Sequence, residues 1–128
     1  MFFSVFISNI KRFGCFYFKT KILGYGFKDN KSTKLSKVIE KGKRISIYGF
    51  GPYGEELFVR LFSNNLIINI YDRDSYFMDE YVRSPQVINK DEFDYIVITV
   101  MNPNVRKALI TFLSEKISSN KIVYLEYS

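Results

Sequence analysis

The chain has 128 residues, 47% of them apolar, 25% charged and 18% aromatic, with no His, no Trp and one Cys. That size suits one domain, with or without an arm, and a core that needs no disulfides. Without His there is no Ser-His-Asp triad, no Cys-His pair and no His-ligated zinc, and Cys15 alone gives neither an internal disulfide nor a thiolate cluster.

Residues 1–21 read as an amphipathic helix. Phe3, Phe6, Ile7, Ile10, Phe13 and Tyr17 recur at three- and four-residue steps, with Ser4, Ser8, Lys11, Cys15 and Lys19 opposite. Lys11 and Arg12 interrupt the apolar run, so no membrane span is expected, and no secretory signal is recognised. Two placements follow: the helix packs on the domain or on a second subunit, or it makes a peripheral contact in a membrane interface. The mixture of Lys/Arg with Phe/Tyr also suits nucleic acid, but rings that share one helical face favour burial over base stacking. Nucleic acid is therefore not the expected partner.

Residues 24–42 read as a Lys-rich linker followed by a short helix. Ser32 or Thr33 would cap that helix, Leu35, Val38 and Ile39 would form its apolar side, and Gly42 would end it. The charge divides at the same place. Residues 1–43 hold ten Lys/Arg against Asp29 and Glu40, a net of +8, whereas residues 44–128 hold nine against eleven acids, a net of −2. The sequence thus separates a basic arm and linker (1–43) from an organised domain (44–128), and the arm could meet an anionic surface or an acidic protein partner.

From Arg44 the pattern alternates. RISIYG reads as a strand, PYGEELFVRLFSNN as a helix with Leu57, Phe58, Leu61 and Phe62 on one face, and LIINIYD as a second strand. An extended piece is expected at Pro85–Ile88. FDYIVITVM reads as a strand buried on both faces. NPNVRKALITFLSEK reads as a helix capped by Asn102 or Asn104 with Val105, Leu109, Ile110 and Leu113 inward, and KIVYLEY closes as a strand. Two strand-helix-strand units argue for an α/β fold, a parallel sheet with flanking helices.

The chemistry-bearing segment is Gly49-Phe50-Gly51-Pro52-Tyr53-Gly54, a G-x-G-x-x-G that follows one predicted strand and opens a helix. In that context the first glycine permits the tight turn, the second lets backbone approach a phosphate, and the third allows close packing. The helix N-terminus favours an anion, although Pro52 removes one N–H. Asp72 ends the next strand, near the offset at which an acid receives ribose hydroxyls, and Arg73 beside it could meet a 2′-phosphate. The same layout also suits S-adenosylmethionine, which keeps a fragment of a methyltransferase or another sugar-modifying enzyme among the alternatives. Glycines that serve packing only are the simpler reading.

ISIYGFGPYGEEL, INIYDRD, SPQVINKDEFDYIVITVMNPNVRKALITFL and KIVYLEY together resemble the small Rossmann-like domain of polysaccharide and nucleotide-sugar biosynthesis proteins, over residues 44–127. The resemblance implies a Rossmann-like sheet and a cytoplasmic module that binds NAD(P) or a nucleotide-sugar. It also implies that Gly49, Gly51, Gly54 and Asp72 contact the nucleotide, and that Met101 and Asn102 line the same crevice. It further implies an accessory or regulatory role, alone or beside a larger enzyme. No nucleophile is paired with a base, so catalysis by this chain alone is not expected. Tyr17 and Lys21 have a Tyr-x-x-x-Lys spacing, but they lie upstream of the glycine turn and read as coincidence. Asp72, Asp74, Asp79 and Glu80 read as a solvated acidic turn rather than a metal cage. The rival to the nucleotide reading is an interaction module with a vestigial site, docking a partner or membrane through the arm.

Overall fold

The structure, a computed structural model, describes residues 2–22, 33–73 and 81–127. Helix α1 (Phe2–Ile22) and strand β1 (Thr33–Leu35) precede β2 (Arg44–Tyr48), α2 (Pro52–Leu61), β3 (Leu66–Tyr71) and β4 (Val82–Arg83). Then come β5 (Tyr95–Ile98), α3 (Pro103–Ser114) and β6 (Ile122–Tyr127). Among the described residues the fold is α/β: one six-stranded sheet in the order β1-β6-β5-β2-β3-β4, parallel except for β1, which runs antiparallel to β6.

The connection β2–α2–β3 steps one way along the sheet and β5–α3–β6 steps the other, so the two helices lie on opposite faces. Alternation along the strands sorts the core accordingly. Ile45, Ile47, Val97 and Val123 pack with Leu57, Phe58 and Leu61 of α2 and with Phe13 and Tyr17 of α1. Ile96, Ile98 and Ile122 pack with Leu113 of α3, Ile117 and Phe93. The strand order reverses between β2 and β5.

The aromatic face of α1 packs on the domain, which is the first of the two placements open to residues 1–21. Packing therefore crosses the division drawn at residue 44. No helix among the described residues is long and apolar enough to cross a membrane. Asn9, buried inside that helix, fixes the docking. Its Nδ2 donates to the carbonyls of Phe62 and Asn65, and its Oδ1 accepts from Ile67 N at 2.9 Å. Because β4 pairs only with Ile70 and Tyr71, the start of β3 is a bare edge among the described residues, and Asn9 satisfies a backbone donor there. Farther along, Arg12 donates to Asn69 Oδ1 at 2.9 Å, and Asn69 Nδ2 donates to Glu92 Oε2 and the Tyr71 hydroxyl. Burial lowers the Arg12 pKa from its ordinary value, partly offset by Glu92.

Five expectations need correction. Residues 33–42 contain no helix: Thr33–Leu35 form β1, in register with Leu125–Tyr127. A three-residue edge strand draws its stability from its partner, and Ser36 N completes the pairing on the Tyr124 carbonyl at 2.8 Å. Leu35 and Ile39 do pack inward, but Val38 is 87% exposed. Pro85–Val87 is a 3-10 turn capped by Ser84 Oγ, and the extended piece is Val82–Arg83 instead. Helix α2 ends at Leu61, four residues before the predicted end. Val105 is not inward: it is 39% exposed on α3. Cap assignment for α3 resolves to Asn102, whose Oδ1 accepts from Asn104 N and Val105 N. Of the acidic group, Asp74, Asp79 and Glu80 lie outside the described residues.

Candidate functional site

The glycine turn is built by mutual constraint. Gly49 has φ +102°, a left-handed conformation that side chains rarely adopt, and a Cβ there would meet Thr99 Oγ1 at 2.5 Å. A Cβ on Gly54 would collide with the Gly49 carbonyl oxygen. The first turn of α2 therefore rests directly on the turn leaving β2. Thr99, one residue beyond β5, reinforces the same point: its hydroxyl sits 3.0 Å from the Tyr48 carbonyl and 2.8 Å from that of Gly49.

Gly51 is different. Its φ of −86° is ordinary for any residue, and a Cβ built on it meets nothing within 4 Å. Neither a positive φ nor a close contact demands glycine there, where it is the N-cap of α2. Gly51 lines a cleft of about 1150 Å³ at the carboxyl ends of the parallel strands, at the point where their order reverses. Open parallel sheets place ligands in this position.

Of the sequence-predicted residues, Gly49, Phe50, Gly51, Tyr53, Asp72, Arg73 and Met101 line the cleft. Pro52, Gly54 and Asn102 do not. Pro52 is exposed at the first position of α2, Gly54 is buried under the turn, and Asn102 is exposed at the start of α3, occupied as its cap. Asp72 Oδ2 accepts from Phe50 N at 2.8 Å, so the acid ties the end of β3 to the glycine turn. With the Phe50 N–H engaged, the Glu55 N–H on the Gly51 carbonyl and Pro52 lacking one, the turn is poorer in backbone donors than its spacing suggests.

Several lining residues were not foreseen. Tyr48 floors the cleft; burial pushes its phenol up from the ordinary value, and nearby Arg73 opposes that shift. Ser84, Pro85 and Gln86 form one wall, and Val105, Ala108, Leu109 and Phe112 of α3 form the other. The signal for that second wall was present, because these four residues recur at three- and four-residue steps beside the inward Ile110 and Leu113. Thr99 stood out only as a lone hydroxyl in an apolar strand. The cleft thus joins a polar end, with Asp72, Arg73 and the start of α2, to an apolar side on α3. Such a space can hold a ligand that has both an anionic or hydroxylated portion and a flat apolar one. Among the described residues no cluster of His, Cys, Asp or Glu is suited to a metal ion. Comparison with family models, curated proteins and solved structures returned no significant match.

Proposed function

We propose that the chain binds a nucleotide-containing ligand, NAD(P) or a nucleotide-sugar, in the cleft beside Gly51, within a Rossmann-like domain. The observation that carries this reading is Gly51, a glycine that lines the cleft at the N-cap of α2 although neither a positive φ nor a close contact demands it there. The ligand's phosphates would lie at the start of α2, with Asp72 and Arg73 toward the ribose and the α3 wall against a flat ring. The resemblance over residues 44–127 adds the setting of surface-polysaccharide or nucleotide-sugar synthesis, with the chain as an accessory or regulatory binder rather than a catalyst.

The test is a thermal-shift screen with NAD, NADP, S-adenosylmethionine, nucleotide-sugars and acetyl-CoA, repeated on Gly51→Leu. A ligand at 100 times its Kd adds about 2.7 kcal/mol of stability, an easily read rise in Tm. We expect such a rise in the wild type and its loss in Gly51→Leu, each shift being read against that variant's own ligand-free Tm. No rise with any compound at millimolar concentration overturns the proposal. The engagement of Asp72 with Phe50, together with Pro52, favours the second reading in that event: a turn kept for packing, in a module that docks a protein partner.

A further inference from the structure

The sequence sets residues 1–43 apart from the domain that carries the glycine turn, but the structure brings α1 to the back of that turn. Phe50 is the residue between the first two glycines. Its backbone N–H holds Asp72 and it lines the cleft, while the residue is only 6% exposed and its ring belongs to the core layer shared by α1 and α2. Phe16 of α1 stacks on that ring at 5.2 Å between centroids with an interplanar angle of 29°. The Phe16 ring also stacks on Tyr81 at 4.8 Å and 20°. Tyr81 leads directly into β4, whose Arg83 carbonyl accepts from Asp72 N at 3.0 Å. Phe58 closes the group edge-on against both Phe16 and Phe50.

One ring therefore contacts both segments that set the polar end of the cleft: the glycine turn through Phe50, and the start of β4 through Tyr81. We propose that Phe16 is a positioning residue of the cleft, holding Phe50 and Tyr81 so that the Phe50–Asp72 hydrogen bond stays closed. The consequence for ligands rests on the nucleotide reading: occupancy of the cleft and docking of α1 strengthen each other, since coupling between two sites is reciprocal. The positioning itself does not rest on that reading.

The experiment uses the full chain. Amide hydrogen exchange at Phe50 is compared with that at the core residues Ile47 and Val97 in wild type, Phe16→Leu, Phe16→Tyr and Tyr17→Leu, and NADP+ affinity is measured in parallel. Tyr17 is the control because it is on the same helix, is more deeply buried than Phe16, and stacks on Phe62 at 3.8 Å, at the other end of α2. In Phe16→Leu, we expect the Phe50 amide to exchange roughly tenfold faster relative to the core amides, because local opening is cheaper than global unfolding. Phe16→Tyr should restore protection, and Tyr17→Leu should move all three amides together. Protection of Phe50 that is unchanged in Phe16→Leu, or lost equally in Tyr17→Leu, overturns the proposal. Weaker NADP+ binding in Phe16→Leu but not in Phe16→Tyr extends it to the ligand. If NADP+ fails to bind even the wild type, the ligand half falls for that probe, and the exchange result still decides the positioning role.

Discussion

On one face of the sheet, α1 and α2 bring together Phe6, Phe13, Phe16, Tyr17, Phe50, Phe58 and Phe62, with Asn9 and Arg12 tying the outer helix to β3. On the other face, among the described residues, α3 stands alone, and the connection from β4 to β5 contributes a 3-10 turn instead of a helix. The first face is closed by interlocked rings, and the second leaves a cleft between α3 and the Ser84–Gln86 turn. The difference is one of coverage rather than hydrophobicity, since both faces bury β-branched strand residues. Where helices saturate a sheet the residues answer to packing, and where one is missing they are open to a ligand.

The sharpest way to break that contrast is on the closed face. Phe58 is fully buried and lies edge-on against the rings of Phe13, Phe16, Tyr17, Phe50 and Phe62. Phe58→Ala should cost about 4 kcal/mol in a urea titration. At the boundary between the two faces, Gly54→Ala places a methyl against the Gly49 carbonyl and should cost about 3 kcal/mol. A Gly54→Ala variant as stable as wild type would show that the turn can relax. Asn9→Ala leaves Ile67 N and two carbonyls without their partner, for about 2 kcal/mol.

The open face should respond the other way. Phe112 is 39% exposed, so Phe112→Ser should change stability by no more than about 0.5 kcal/mol; on the proposed nucleotide reading it should also weaken NADP+ binding in titration calorimetry. A stability loss comparable to that of Asn9→Ala would mean that α3 is packed as tightly as α2. The smallest effect is electrostatic and lies away from both. Hydrogen bonding from the Arg44 side chain, then its backbone N–H and its charge, holds the Asp94 carboxyl below its ordinary value. A lowered folded-state pKa gives stability that is complete above the unfolded value, near 3.9, and fades as pH falls through the folded one. Asp94→Asn should therefore lower stability slightly above about pH 4, where that contribution is complete, and converge with wild type as pH falls through the folded value, which flattens the acid limb of the stability-pH curve.

The sequence by itself determined the elements whose signals are local. The period-2 and apolar runs of β2, β3, β5 and β6, the 3.6-residue stripes of α1, α2 and α3, the parallel α/β layout, and the turn at Gly49–Gly54 all follow from residues close together in the chain. Even the two structural glycines were legible, because a strand-to-helix turn makes the same demands wherever it occurs. Tertiary structure decided everything whose partner is far away. β1 exists because β6 lies beside it about 90 residues later, so a three-residue strand with a Lys at its centre carried no pattern of its own. Asn9 satisfies a backbone donor at the bare edge of β3, 58 residues on, and no pattern local to α1 announces that role. Asp72 was placed correctly at the end of β3, but its hydrogen bond to the turn depends on how two adjacent strands align. Gly51 stands between the two cases: its spacing announced it, and only the tertiary structure shows that neither a positive φ nor a close contact demands a glycine there. The reason is common to all of these, since periodicity records which side of an element is buried but not what buries it.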